Sequence, residues 1–269
     1  MAEPTPVHFF DITSTLPGPK KSWSPNTLKV RTVLNFKNIP FTQSWISYPD
    51  IAPLTKGLGL EPNATGYKYT LPTIIHDSVT TNPNGAMMDS LPIVQHLDKV
   101  FPEPPLFPSG NASYALLLAV QRLTLGWSVG IRSLVIPTVP DYLDPRGEEY
   151  FIRTRSESFG RPLAELKPTE PAEIQELWES IKTGSGPLLD VLKGREGKKG
   201  PFFEGETAGC VDLFFVSTLA FLDRFAPDMF VKVLALGDGE FKAIWEACLP
   251  WLEGQGEEKE WPIPQPENA

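Results

Sequence analysis

The first part of the chain alternates between short apolar runs and segments with helical spacing. Residues 7–12 (VHFFDI) form a mostly apolar run between prolines and a Pro-Gly-Pro loop, which predicts a buried strand. From Thr27, apolar residues recur at helical spacing up to the breaker Asn38-Ile39-Pro40, and 41–48 is typical of a second strand. Strand, helix and strand in this order predict a βαβ unit whose strands pair in parallel.

Residues 70–101 complete a first domain. The run 70–75 predicts a strand, and Pro72 must lie at its beginning or at an edge because proline has no N–H for the ladder. After a turn at 82–85, residues 86–88 can pair back as a short strand. Asp89-Ser90 then precedes apolar residues at helical spacing, which predicts a helix to 101. The predicted order is β-α-β, a connecting helix, then β-β-α.

The second half of the chain gives no convincing strand pattern. A proline-dense linker at 101–108 is followed by helical patterns at 111–135, 147–166, 171–193, 209–225 and 239–251. The end of the chain is acidic and Pro-rich, so we expect it to lie over the surface or to be disordered. The fold class is therefore α/β followed by all-α, with an α/β domain at 1–101, a helical domain at 109–253 and a tail at 254–269.

Composition and charge limit the partners. The chain has 269 residues and a net charge of -9, with its Lys and Arg scattered, which argues against nucleic acid or an anionic membrane as partner. We find no apolar run of the roughly 18 residues that a membrane span needs, and residues 1–6 lack a secretory pattern, so we predict a cytoplasmic protein. Cys210 and Cys248 lie in apolar contexts and predict core thiols, with no metal site.

Two stretches make the pattern more specific. A β-α-β-α-β-β-α domain, a proline opening its third strand, an acidic-Ser pair and a helical second domain resemble a cytosolic glutathione transferase. Ser22-Trp-Ser-Pro-Asn-Thr27 and Trp45-Ile-Ser-Tyr-Pro-Asp-Ile51 are similar to the fungal FuA class, whose relatives include bacterial β-etherases. The resemblance implies a thioredoxin-like first domain, a helical-bundle second domain, glutathione as co-substrate and a homodimer. One departure is Gly209, which stands three residues before Asp212 where the family usually has Ser or Thr.

A glutathione enzyme must keep the sulfur of the tripeptide as a thiolate, because the thiolate is the nucleophile. Ser24 directly precedes Pro25, and proline suits a first helical turn, so we expect Ser24 near an N-cap with its hydroxyl on the sulfur. Its alternative role is a helix cap only. The Ser22 hydroxyl and the Asn26 amide are alternative sulfur ligands. The first domain has no cysteine, which argues against a mixed disulfide and favours conjugation or thioether and ether chemistry.

The resemblance also implies the rest of the glutathione site. Leu71-Pro72 resembles the family's cis-proline turn, in which the Leu71 backbone would pair with the cysteinyl unit; the alternative is a trans proline at a strand edge. Asp89 and Ser90 would bind the γ-glutamyl end at a helix N-terminus, or form a simple cap. The acceptor pocket would lie between the domains and admit hydrophobic aromatic molecules. Its candidate aromatic residues, each of which is also a core candidate, are Phe10, Trp23, Trp127 and Tyr142.

Two functions remain open at this point. The first is glutathione transfer to, or glutathione-dependent cleavage of, hydrophobic aromatic compounds. The second is a ligandin-type protein that binds wood-derived aromatics with little catalysis. A non-catalytic interaction module is disfavoured, because Ser24, Pro72, Asp89 and Ser90 are all present.

Overall fold

The computed structural model describes residues 6–254 and 256–264. Residues 1–5, part of the segment without a secretory pattern, and 265–269, the end of the predicted tail, lie outside this range. The first domain contains, in chain order, β1 Val7–Ile12, α1 Pro25–Phe36, β2 Phe41–Ile46, α2 Ile51–Gly57, β3 Thr73–Ile75, β4 Ala86–Met88 and α3 Ser90–Val100.

The sheet has the order β4-β3-β1-β2-β5, so β1 lies at its centre. β1 pairs with β2 in parallel, from Val7 opposite Phe41 to Ile12 opposite Ile46. β3 runs antiparallel to β1, and β4 antiparallel to β3. Every residue of β1 is buried, as its apolar run requires. The βαβ prediction is confirmed, and the mixed sheet is that of a thioredoxin-like domain.

The second domain is entirely helical over 109–253, apart from isolated bridges near Phe202. Its helix α8 is buried along nearly its whole length and lies at the centre of the domain. The helices are α4 Asn111–Thr124, α5 Ser128–Leu134, α6 Pro145–Phe159, α7 Pro171–Lys193, α8 Cys210–Phe225, α9 Pro227–Leu234 and α10 Glu240–Glu253.

Three details of the helical prediction were wrong. The helix predicted at 111–135 is divided by a 3-10 turn at Leu125–Trp127. The helix predicted to reach 166 ends at Phe159, because Gly160 adopts a left-handed conformation with φ 69° and closes it. Helix α9 was not predicted, and it begins at Pro227, where proline suits a first helical turn.

The start of α8 explains the glycine that departs from the family pattern. The Asp212 carboxylate accepts the backbone N–H of Gly209 at 2.8 Å and that of Phe203 at 2.8 Å. A Cβ atom on Gly209 would lie 3.1 Å from the carbonyl oxygen of Leu106, a tight approach for any larger residue. The start of α8 therefore has the Asp212 carboxylate as its cap and lacks the side-chain oxygen that a Ser or Thr at position 209 would supply. Burial raises the pKa of Asp212 to about 6, although these N–H donors oppose the shift.

The described part of the tail packs on the first domain. Strand β5, Glu257–Glu258, pairs in parallel with β2, with Thr42 opposite Glu257. The Trp261 ring lies 4.6 Å from that of His8 and 5.1 Å from that of Phe10, centroid to centroid. For residues 256–264 the expectation of a surface position is confirmed, and a fifth strand that the sequence did not indicate covers the edge of β2.

The expectation for the two cysteines is confirmed, whereas the expectation for apolar runs is not. Cys210 and Cys248 are buried and unpaired, and burial raises the pKa of both thiols, as expected for core residues. The statement that no apolar run is long enough for a membrane span was wrong. The segment Asn111–Leu134 has 24 residues and contains an 18-residue stretch with a mean hydropathy of 1.3, so it passes that test by length and composition. In the fold this segment is α4 and α5, which pack against α7 and, through α4, against α8.

Candidate active site

Ser24 stands at the N-terminus of α1 with extended backbone, ψ 127°, directly before Pro25. Ser24 is the N-cap residue of α1 and its carbonyl accepts the N–H of Leu28 at 2.9 Å, but its side chain makes no capping hydrogen bond. The residue is 6% exposed and lines a cavity of about 410 Å³ between the two domains. Its hydroxyl is therefore available to a ligand beside a helix N-terminus.

Asn26, the second residue of α1, lines the same cavity. Its side-chain oxygen accepts a hydrogen bond from Lys29 Nζ at 3.0 Å. Its amide nitrogen stays a predicted alternative donor to sulfur.

Ser22 was a wrong candidate for the sulfur ligand. It is fully buried, its hydroxyl donates to Asp11 Oδ2 at 2.6 Å, and the same oxygen accepts from Arg31 Nε at 2.9 Å. The Ser22 hydroxyl is thus hydrogen-bonded to both members of the buried ion pair between Asp11 and Arg31. It supports the loop that carries Ser24 and does not line the interdomain cavity.

The Leu71-Pro72 peptide bond is cis, so the alternative of a trans proline is wrong. Pro72 directly precedes β3, which agrees with its predicted position at the start of a strand. Leu71 is buried and lines the same cavity as Ser24. The cis-proline turn and the start of α1 therefore face one space.

Asp89 precedes α3 with φ 77°, a sparsely populated conformation for a residue with a side chain, and such positions concentrate at functional sites. Its side chain does not cap the helix but accepts a hydrogen bond from Thr70 Oγ1 at 3.0 Å. Thr70 lines the first cavity, whereas Asp89 lines a neighbouring one of about 290 Å³. Ser90 begins α3 and is half-buried.

The four aromatic candidates do not line the interdomain cavity. Phe10 and Trp127 are fully buried, and Trp127 donates its ring N–H to Ser185 in the core of the helical domain. Trp23 is buried against Phe221 and Phe225, which also contacts the half-buried Tyr142. Phe10, Trp23 and Trp127 are used in core packing, as their alternative role required, whereas Tyr142 keeps part of its ring exposed outside this cavity.

Other aromatic residues line the cavity instead. Tyr48 follows β2 and stacks on Tyr150 of α6, with ring centroids 6.1 Å apart and 16° between planes. Desolvation raises the pKa of Tyr48 to about 12, although the nearby positive charge of Arg155 opposes the shift. The remaining lining residues from these elements are Tyr67, Tyr69 and Arg155. Tyr48 lies inside the stretch 45–51 that carried the resemblance, whereas Tyr150 and Arg155 had no local signal.

Within residues 6–254 and 256–264, no group of three or more His, Cys, Asp or Glu side chains is placed to hold a metal ion. The lining of the cavity offers the Ser24 hydroxyl, the Asn26 side-chain amide, aromatic rings and two cations.

A thioredoxin-like domain that meets an all-helical domain across such a cavity is the architecture of the cytosolic glutathione transferases. The family model described as glutathione S-transferase, N-terminal domain, matches residues 21–105, and that of the C-terminal domain matches 115–251. The chain belongs to the glutathione S-transferase family.

Individual relatives support this assignment. The chain is 52% identical to the glutathione S-transferase-like protein ustS of Aspergillus flavus, over 98% of this chain and 97% of that one. It is similar to a glutathione S-transferase of Ceriporiopsis subvermispora solved in complex with glutathione, with 30% identity and a TM-score of 0.79 over 92% of this chain and 98% of that one. Glutathione transferase GSTFuA3 of Phanerochaete chrysosporium is 26% identical, with a TM-score of 0.80 over 93% and 98%. The resemblance to the FuA type is confirmed.

Proposed function

We propose that the protein is a serine-type glutathione transferase that activates glutathione as a thiolate at Ser24 and conjugates it to hydrophobic aromatic compounds in the cytoplasm. The observation that carries this proposal is the Ser24 hydroxyl, which makes no cap and lines one cavity with Leu71 of the cis-proline turn. The glutathione complex of the Ceriporiopsis relative supports glutathione as the co-substrate. Detoxification of aromatic compounds is the role that this chemistry would serve.

The energy required for thiolate formation is within the reach of one hydroxyl. A free thiol has a pKa of about 8.5, and moving it by roughly two units takes about 2.7 kcal/mol. A hydrogen bond to a charged group contributes roughly 1.5 to 3 kcal/mol, and a helix N-terminus about 0.3 to 1 more. Ser24, at the start of α1, offers both.

In the reaction, the thiol proton passes to water and the sulfur lone pair attacks an electron-poor carbon of the acceptor. The C–S bond forms, and the leaving group departs with the electrons of its bond. For an aryl ether the leaving group is an aryloxide, which takes up a proton from water. The protein supplies the thiolate and the orientation, and the two tyrosine rings of Tyr48 and Tyr150 offer an aromatic wall for the acceptor.

Ser24→Ala tests the proposal. Its catalytic rate should fall by about ten- to a hundred-fold, because the thiolate loses a charge-assisted hydrogen bond, while glutathione binding changes little. Ultraviolet absorbance of bound thiolate against pH should show the pKa rising toward the free value. Asn26→Ala is the alternative arm, and Ser78→Ala, which removes the hydroxyl of an exposed serine in the same domain, is the control. A wild-type titration in Ser24→Ala together with an upward shift in Asn26→Ala would transfer the role to Asn26.

A ligandin role is the second candidate, and the tyrosines that line the cavity favour it. Flat phenolic molecules such as stilbenes should then bind at micromolar concentration and displace a fluorescent apolar probe. A Tyr48→Ala variant should bind these phenolic molecules more weakly. If a broad panel of phenolics leaves the probe in place on the wild-type protein, the ligandin proposal is wrong.

The family resemblance further leads us to propose a homodimer. Its support in the structure is an apolar stripe over α4, the 3-10 turn and α5, in which Leu118 is 44%, Leu125 53% and Val129 57% exposed. These side chains recur at intervals of seven and four residues along this segment, and all three are exposed to solvent.

A further inference from the structure

The interdomain cavity has an unusual balance of charge. Its lining contains two cationic side chains, Lys68 and Arg155, and no Asp or Glu. The chain as a whole carries a net charge of -9, so the positive balance of this lining opposes that of the molecule. A cavity with cations and no counter-ion favours an anionic ligand.

Arg155 is the cation that the second domain contributes. It projects from α6, half-buried, with its guanidinium carbon 4.5 Å from the ring centroid of Tyr67, 4.6 Å from that of Phe151 and 5.8 Å from that of Tyr48. The three rings hold the guanidinium and reduce its contact with water. No carboxylate among the described residues forms an ion pair with it, although its neighbour on the helix, Arg153, pairs with Glu157.

Guanidinium chemistry indicates the ligand. The planar fork of Arg matches a carboxylate in a bidentate fashion and stacks on aromatic faces, and hydrogen bonds of this kind are stronger where water is partly excluded. The tyrosine wall formed by Tyr48 and Tyr150 lies beside Arg155 in the same cavity, and Ser24 also lines that cavity. An acceptor with an aromatic ring and an acid group would contact both the wall and the guanidinium.

We propose that Arg155 binds the carboxylate of the acceptor, so that the preferred acceptors are aromatic acids. This inference rests on the proposed transferase function. Lys68 lies three residues before Leu71 in the first domain and is the cation on the glutathione side. The competing occupant of Arg155 is a carboxylate of glutathione itself, and the experiment below separates the two.

The test compares two matched acceptors, a chlorodinitrobenzoate and the corresponding chlorodinitrobenzamide, with chlorine para to the acid or the amide. In both, the glutathione sulfur bonds to the ring carbon and chloride leaves with the bonding electrons. The kcat/KM of each is divided by its uncatalysed rate with free glutathione, which removes the difference in intrinsic reactivity. The proteins are wild type, Arg155→Met, Arg155→Lys and the control Arg153→Met, which removes the same charge from the solvent side of α6.

The wild type should prefer the acid over the amide by about tenfold, the lower part of the range for a hydrogen bond to a charged group because Arg155 is half-buried. Arg155→Met should abolish the preference, Arg155→Lys should keep part of it, and Arg153→Met should behave as wild type. The glutathione KM should be unchanged in all four. Equal use of both acceptors by the wild type would overturn the inference. A raised glutathione KM in Arg155→Met, with the preference unchanged, would assign Arg155 to glutathione instead.

Binding measurements separate this inference from the proposed function. Calorimetry with the unreactive dinitrobenzoate and dinitrobenzamide should give the same preference for the acid and the same loss in Arg155→Met, even without turnover. Glutathione that fails to bind would contradict the transferase proposal alone. Turnover of the amide without any preference for the acid would contradict only the role of Arg155.

Discussion

Arg31 lies wholly inside the first domain and holds the loop that leads to Ser24. Its guanidinium donates to Asp11 at 2.9 Å and to the side-chain oxygen of Gln43 at 2.6 Å, besides its bond to Ser22. From α8, Arg224 donates to the backbone carbonyl of Ser22 at 2.6 Å. Because buried charges are costly unless paired and hydrogen-bonded, this network fixes the Ser22 backbone two residues before Ser24.

We therefore expect Asp11→Ala to lower the free energy of unfolding by about 3 to 5 kcal/mol, because it removes the carboxylate that forms the buried ion pair with Arg31. The matched control is Asp238→Ala, which breaks an ion pair with Lys193 that is exposed to solvent and should therefore change the free energy of unfolding far less. Urea unfolding measures both. Equal losses in the two variants would show that burial of the Arg31 pair has no special role.

Asp89 carries a separate prediction about the tripeptide. Asp89→Ala should weaken glutathione binding by roughly 1.5 to 3 kcal/mol, because it removes a carboxylate that would accept a charge-assisted bond from the γ-glutamyl ammonium. Titration calorimetry decides this, with the exposed Asp77→Ala as control in the same domain. An unchanged affinity in Asp89→Ala would limit its role to the bond with Thr70.

At the scale of elements, the segment after β5 packs against His8, a buried residue of β1. His8 is hydrogen-bonded to Thr42 at 2.7 Å and to Ser44 at 3.0 Å, and its ring packs against Trp261. Desolvation by burial, together with a smaller effect of the nearby charge of Lys259, lowers the pKa of His8 to about 4. The tail thus packs on a neutral imidazole.

This pKa gives a pH dependence with a definite sign. The unfolded chain binds a proton at His8 below pH about 6.5, whereas the folded chain does so only near pH 4, so the stabilisation is complete above 6.5 and is lost as pH falls through this window. Urea unfolding at about pH 7.5 and about pH 5 should show a smaller fall for His8→Gln than for wild type. Other titrating groups are common to both chains. An equal fall in both would contradict the prediction.

Elements with a local signal were predicted well from the sequence. The strands 7–12 and 86–88 have the predicted bounds, because turn residues flank each run. β5 has no apolar pattern, since Glu257 and Glu258 form a strand only because the edge of β2 is available. The division of 111–135 at Leu125–Trp127 likewise follows from tertiary packing, as the pattern itself is continuous.

The residues of the candidate site were likewise predicted where a local motif marks them and missed where tertiary packing alone brings them in. Ser24, Asn26 and Leu71 belong to local motifs and were found, and they line one cavity. Tyr150 and Arg155 reach that cavity only because α6 packs against the segment that follows β2. The sequence could not separate a core aromatic such as Trp127 from a cleft aromatic such as Tyr48, because a large apolar side chain gives the same pattern in both positions.

At the scale of the whole molecule, the exposed stripe of Leu118, Leu125 and Val129 leads to a prediction about assembly. If this stripe forms the interface of a homodimer, the protein should have a mass in solution of about twice 29.8 kDa. The double variant Leu118→Glu, Val129→Glu should have the monomer mass, because association would bury unpaired carboxylates on both copies. Val231→Glu is the control, since Val231 is an exposed apolar residue of α9, outside the stripe. Light scattering after size exclusion gives the masses, and a wild type that is monomeric at every concentration, or a control that dissociates equally, would contradict the dimer.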